Sequence, residues 1–248
     1  MTSALAITHA ASAELQQCRL CISVGSPYFE GKHFASIVEW FNKQTFLVGV
    51  VVVLADTLQR HNYSNTDVPA SIREQQARDE GDAWLERNGA ELQKLRMKVS
   101  VLRWDDVRLS ARFEPLLQEI NSLYVTDAQF RGAVDEDVSS YLKRKARKET
   151  LAPNAELISR NYFLEELCCI TLMIERFPFP EAYPGPFLKS AIHLASMPHP
   201  GSFARMAGHR FIEIRASRGS ISLAKGKTQT LEDKAVPQSN ENSNKRVG

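Results

Sequence analysis

The sequence predicts an α/β fold: a Rossmann-like parallel sheet flanked by helices, in a single domain with a disordered C-terminal tail. Three observations carry this. Phe46–Ala55 (FLVGVVVVLA) is nearly all apolar and β-branched, as in strands buried on both faces of a parallel sheet. A strand-like and then a helical segment precede it, which makes a βαβ unit. The chain has 248 residues, a common length for one α/β domain, and its 43% hydrophobic and 24% charged residues exclude disorder throughout.

Residues 1–17 are small and polar and read as an N-terminal arm; the domain proper spans 18–216. Cys18–Val24 reads as a strand ending in a Gly25-Ser26-Pro27 turn. His33–Asn42 places Phe34, Ile37, Val38 and Phe41 at helical spacing. After the polar loop opened by Asp56, Pro69 marks the start of a long helix to about Arg96. Met97–Arg103 alternates like a third strand. Asp105–Leu123, Asp127–Lys148 and Asn154–Arg176 read as helices, and Leu188–Leu194 and Arg210–Arg215 as late strands. The Ser-, Asn- and Lys-rich segment 217–248 reads as disordered.

The formal net charge of +2 gives no global attraction to nucleic acid, so any such surface must be local. No apolar run is long enough to span a membrane, and no signal peptide is read. Four cysteines in a chain this long are not a disulfide framework, so a cytoplasmic location is expected.

Several motifs fail on spacing. Gly25–Lys32 has five residues between its glycines where a phosphate-binding loop needs four, and His33 stands where that loop needs Ser or Thr. Cys18 and Cys21 have CxxC spacing without a second spaced pair, since Cys168 and Cys169 are adjacent; no metal site is expected. On a strand they point to opposite faces. Cys21-Ile-Ser23-Val-Gly25 is most of a nucleophile elbow. A serine ending a buried strand before a Gly turn sits where open α/β sheets bind ligands, although a turn hydroxyl would look the same. An α/β-hydrolase would place it after several strands and add a histidine partner, so that alternative ranks low. Tyr162 and Glu166 share one helix face, either as a surface pair or in a pocket; Glu165, about 100° away, is the better candidate for a solvated charge. Lys143, Arg144, Lys145, Arg147 and Lys148 put five bases into six positions, which suits a helix C-terminus or a phosphate-binding patch. Arg87, Lys94 and Lys98 line one face of the long helix and its exit.

Taken in order, these features resemble the tRNA-dependent cyclodipeptide synthases. The residues that carry the likeness are Ser23-Val-Gly25-Ser-Pro-Tyr28-Phe29, Trp40, Ala55-Asp56-Thr57 with Arg60-His61-Asn62-Tyr63, Gly81-Asp82-Ala-Trp84, Leu102-Arg103-Trp104-Asp105-Asp106 and Asn161-Tyr162-x-x-x-Glu166. The family resembles the catalytic domains of class I tyrosyl- and tryptophanyl-tRNA synthetases but uses no ATP. The resemblance implies an aminoacyltransferase that joins two aminoacyl groups, from two aminoacyl-tRNAs, into a 2,5-diketopiperazine. It implies Ser23 as nucleophile, Tyr162 and Glu166 as the α-ammonium site, and no cofactor. The partners would be the two tRNAs, held by Arg87, Lys94, Lys98, Lys143, Arg144, Lys145, Arg147 and Lys148, with the protein a monomer or weak homodimer. The family's late-strand Tyr, followed by His or Pro, is expected at Ile192, leaving His193 as a catalytic candidate and a non-catalytic aminoacyl-tRNA-binding relative as the alternative. The first amino-acid pocket is expected to be lined by Cys21, Gly25, Val51, Trp104, Cys169 and Ile170. An acidic end at Asp105 and Asp106 would suit a guanidinium, which makes an arginine-containing product one candidate.

Overall fold

The computed structural model describes residues 16–63, 68–196, 201–217 and 220–224. Its centre is a six-stranded sheet of order β3-β2-β1-β4-β5-β6. The first strands are β1 (Gln16–Ser23), β2 (Leu47–Ala55) and β3 (Lys98–Arg103), linked by α1 (Gly31–Asn42) and α2 (Ala70–Leu92). Helices α3 (Trp104–Arg108), α4 (Phe113–Thr126), α5 (Ala128–Lys145) and α6 (Ala155–Arg176) follow, then β4 (Glu181–Tyr183), α7 (Lys189–Ser196), β5 (Phe211–Ser217) and β6 (Ser220–Ala224). All pairings from β3 to β5 are parallel, and β6 runs antiparallel to β5. This is the Rossmann-like arrangement the sequence predicts. The chain moves outward from β1 to β3, then crosses back to place β4 on the other side. The C-terminal end of β1 is therefore a topological switch point, where open α/β sheets leave a crevice.

The sheet is covered on both faces because β2 is apolar on both. Val50, Val52 and Leu54 join Leu20, Ile22, Phe34, Phe41 and Trp84 beneath α1 and α2. Val51, Val53 and Ala55 join Trp104, Phe130, Phe163 and Leu167 beneath the α4–α6 layer. Helix α5 packs through Phe130, Val134 and Val138, four residues apart, and Asp127 caps it by accepting from the backbone N–H of Gln129 and Phe130. Helix α6 buries every residue from Leu167 to Ile174, as expected of a helix enclosed by others.

Three expectations change. The segment 105–123 is not one helix: the chain turns between Arg108 and Phe113, where Phe113 N–H bonds to the Ser110 carbonyl. Leu188–Leu194 is not a strand but lies mostly in α7. Asp137 of α5 fixes that helix's start by accepting from the N–H of Lys189 and Ser190 at 2.9 Å each. The three-residue strand β4 stands just before it. The tail read as disordered from 217 includes Ser217 at the end of β5 and Ser220–Ala224 in β6. Its Ser-Ile-Ser-Leu-Ala sequence has the period of two that pairing with β5 requires. Residues 1–15 of the N-terminal arm and 225–248 of the tail lie outside the described residues.

Candidate active site

Ser23 is the last residue of β1, and the turn beyond it is fixed in detail. Ser26 N–H donates to the Ser23 carbonyl at 3.1 Å, and Gly25 takes φ +81°, a conformation that favours glycine. Pro27 opens a 3-10 turn to Phe29, whose carbonyl accepts from Trp84 Nε1 at 3.0 Å. Glu30 accepts from Arg87 at 3.0 Å and from Asn88 at 3.2 Å. The loop after the serine is thus tied to α2 at three points.

The Ser23 hydroxyl lies 3.3 Å from the hydroxyl of Tyr183 on β4. Burial pushes Tyr183 up to about 12, against the opposing hydrogen bond with Ser23, so the phenol is protonated at neutral pH. Pro184 follows it. A late-strand tyrosine followed by proline thus stands beside Ser23 at Tyr183, whereas Ile192, where the sequence reading expects one, lies in a helix. His193, assigned there by the same register, is carried on α7 with its ring 6.3 Å from that of Phe130. The misplacement has a simple cause: a three-residue strand shows no alternation, and a short apolar run is ambiguous between strand and helix.

Tyr162 and Glu166 are partly buried on α6, on the face towards β1 and β4. Burial raises the Glu166 carboxyl to about 8, with further upward pressure from Glu181 and Asp137. Burial and then the Glu166 charge raise Tyr162 well above the usual phenol range. The Glu166 charge also acts on Tyr183, so the three groups lie near one another. Gln59 Nε2 donates to the Tyr162 hydroxyl at 3.4 Å, a contact no sequence motif indicated.

Glu165 is the reverse of the solvated charge expected. It is 3% exposed and accepts from Arg60, from His61 at 2.9 Å and from Trp104 Nε1 at 3.0 Å, with Arg108 3.6 Å away. Burial alone would raise its pKa; the hydrogen bonds from His61 and Arg60 outweigh that and hold it at about 2. Arg60 and His61 come from the 3-10 turn Thr57–Asn62, which follows β2, and Arg108 comes from the end of α3.

The motifs around that turn serve the frame. Asp56 accepts from Thr57 N–H at 2.8 Å, from Arg103 and from Trp104 N–H at 3.4 Å, and Arg103 also bonds Asp82. Gly81 lets α2 approach: a Cβ there would stand 2.7 Å from the Asp56 side chain and 2.8 Å from Arg103 Nη2.

Of the expected pocket, Val51, Trp104, Cys169 and Ile170 belong to the apolar cluster on the α6 face, and Cys21 packs against it. Cys18 belongs to the cluster on the opposite face. Asp105 lies apart, accepting from Thr57 at 2.8 Å and from Arg78 at 2.7 Å, with Arg108 3.3 Å away. Among the expected phosphate-binding residues, Arg87 pairs with Glu30 and Lys94 with Glu91, while Lys98 is exposed at the start of β3. Lys143, Arg144, Arg147 and Lys148 are exposed at the end of α5, and Lys145 pairs with Glu149 at 3.3 Å.

Fold and site together define a Rossmann-like protein that carries a serine at its switch point, beside a partly buried tyrosine and a carboxyl of raised pKa. The chain belongs to the cyclodipeptide synthase family: the family model described as cyclodipeptide synthase matches residues 8–170, well over half of its length. Similar solved structures share the fold. One from Fluoribacter dumoffii is 24% identical, with a TM-score of 0.66 over 71% of this chain and 80% of that one. One from Candidatus Glomeribacter gigasporarum, described as bound to Phe-tRNAPhe, is 21% identical, with a TM-score of 0.63 over 86% and 92%. A Mycobacterium tuberculosis structure, described as showing that cyclodipeptide synthetases are related to type I tRNA synthetases, is 15% identical with a TM-score of 0.56 over 85% of each chain. No curated protein matches the chain. No helix among the described residues is long and apolar enough to cross a membrane.

Proposed function

We propose that the protein makes a 2,5-diketopiperazine from two aminoacyl-tRNAs through an aminoacyl-Ser23 intermediate. The observation that carries this reading is the 3.3 Å approach of the Ser23 and Tyr183 hydroxyls at the switch point, with Glu166 close enough to act on Tyr183. Ser23 Oγ attacks the ester carbonyl of the first aminoacyl-tRNA. The ester bond breaks, and the tRNA leaves with a proton on its terminal ribose oxygen. Tyr162 and Glu166 hold the α-amino group that stays behind. That amine attacks the second ester, whose acyl–oxygen bond breaks so that the second tRNA leaves with a proton on its ribose oxygen, and the new terminal amine then attacks the Ser23 ester, which releases the ring and returns the Ser23 hydroxyl. Glu166, with a pKa near the working pH, accepts and returns protons in these steps. The esters arrive activated, so no step consumes ATP or needs a cofactor.

Tyr183 also removes the motive for the non-catalytic alternative, which rested on the lack of a late tyrosine. Asp105 is already satisfied by Arg78, Arg108 and Thr57, and Asp106 is exposed and accepts from Arg103 N–H at 2.8 Å, which weighs against them as the acidic pocket end of an arginine-containing product. Ser23→Ala should abolish product while the protein stays folded. Intact-mass analysis of the wild type given one charged tRNA should find an acyl group that maps to Ser23. Product formation by Ser23→Ala at near the wild-type rate would end the covalent scheme.

The tRNA path is assigned to the end of α5. Replacing Lys143, Arg144, Lys145, Arg147 and Lys148 together by Gln should raise KM for aminoacyl-tRNA and flatten its salt dependence. An unchanged salt series would move the path to α2 and Lys98.

A further inference from the structure

Below Ser23, on the same face of β1, lies a buried ion pair that the reaction as written does not use. Side chains alternate along a strand, so Arg19, Cys21 and Ser23 share the face towards α6. Arg19 is fully buried and stands in register with Val51 on one side and Glu181 on the other. Its Nη2 lies 3.1 Å from Glu181 Oε2 and 2.9 Å from His209 Nε2. Burial, and then the Arg19 charge, hold His209 down at about 3, so its imidazole is neutral and accepts. Arg19 Nε and Nη1 have no hydrogen-bond partner among the described residues, and Glu181 Oε2 receives no well-directed hydrogen bond. Buried polar groups of this kind are normally satisfied, and a site that binds a ligand is where they are not.

The pair lies within reach of the nucleophile. At roughly 3.3 Å per residue, Cys21 is about 7 Å and Arg19 about 13 Å below Ser23 at the Cα atoms. Cys21, between them, is partly open to solvent, and the Glu181 charge reaches its thiol. The Glu181 charge also reaches Glu166. A side chain esterified to Ser23 and anchored by its amine at Glu166 would therefore run over Cys21 towards the pair.

Resting on the synthase reading, we propose that the Arg19–Glu181 pair selects the first aminoacyl group for an uncharged head that both accepts and donates hydrogen bonds: a carboxamide, a phenol or an imidazole. A cationic head would meet Arg19. An anionic head would meet both Glu181 and Glu166. An aliphatic or phenyl head would leave the Arg19 N–H groups unanswered. A head with one acceptor for Arg19 and one donor for Glu181 satisfies both.

The test supplies the full-length protein with a complete mixture of aminoacyl-tRNAs and identifies the diketopiperazines by mass spectrometry. The principal product should contain Gln, Asn, Tyr or His. A principal product without any of these overturns the proposal while leaving the synthase reading intact. No diketopiperazine at all removes the synthase reading and this inference with it. In a second arm, the double variant Arg19→Leu/Glu181→Leu leaves no buried charge alone. It should make the wild-type product at least ~10²-fold less efficiently and shift towards apolar residues. A folded double variant with the wild-type product profile also overturns the proposal, and if it does not fold, the wild-type product decides.

Discussion

The surroundings of Glu165 and of Glu166 differ chiefly in their supply of cations. Both residues leave the same buried helix, one position apart. Glu165 meets Arg60, His61 and Arg108 and is held ionised at about 2. Glu166 meets tyrosines and is repelled by Glu181 and Asp137, so burial carries it to about 8. The first region is closed: its charges and donors answer one another, and it holds the turn after β2 to α6. In the second, no cation is among the groups that shift Glu166, which leaves its burial uncompensated. The same residue type is held ionised in one place and protonated up to about 8 in the other, and the partners decide which.

Removing the brace should have the largest effect on the fold. Glu165→Gln leaves the Arg60 and Arg108 cations and the His61 ring facing a neutral amide, at a cost of about 3–4 kcal/mol. Because the native pKa is depressed, this contribution is present above the unfolded value near 4.5 and is lost as pH falls towards 2. The gap in melting temperature between wild type and variant should therefore be steady from pH 6 to 8 and close in acid. A gap below 0.5 kcal/mol at pH 7 would show that the cluster is not a brace.

Glu166→Gln should do the opposite. Product formation should fall at least ~10²-fold, the low end for general acid–base catalysis. Stability should rise, because the native pKa is raised. The wild type keeps this contribution below about 4.5 and loses it as pH climbs through about 8, so the variant should gain on the order of 2 kcal/mol at pH 8 and nothing near pH 4. A folded variant with full activity would remove Glu166 from the mechanism; one that melts lower at pH 8 would contradict the uncompensated burial.

Tyr183→Phe sharpens the comparison from the side of the nucleophile. It deletes one hydrogen bond to Ser23, worth about 1 kcal/mol, so product formation should fall about 5- to 10-fold with little change in melting. Activity equal to wild type would mean that Ser23 is oriented by the β1 turn alone.

Much of this was legible in the sequence. The doubly apolar β2 announced a covered parallel sheet, Ser23 was placed at a strand end by the Gly turn, and the spacing of Tyr162 and Glu166 put them on one face. What stayed hidden were long-range partnerships. A helical wheel gives the direction of Glu165 but not the cations awaiting it, which come from residues about a hundred positions earlier. Tyr183 sits in a strand of three residues, too short to show a period. Arg19 reads as polar in a strand otherwise apolar at Leu20 and Ile22, and its significance lies in Glu181, which reaches it only through the pairing of β1 with β4.

A sheet of six strands has two rims, and this one finishes them differently. On one side β6 turns back along β5. On the other, β3 has no strand beside it among the described residues, and its Val101 is 43% exposed. An open rim of apolar strand is a template on which another chain can continue the sheet, and proteins blunt such rims by keeping them short and ending them in charge. Strand β3 has six residues and runs from Lys98 to Arg103, so a basic side chain stands at each end of the rim, the feature that discourages edge-to-edge stacking of copies of the chain.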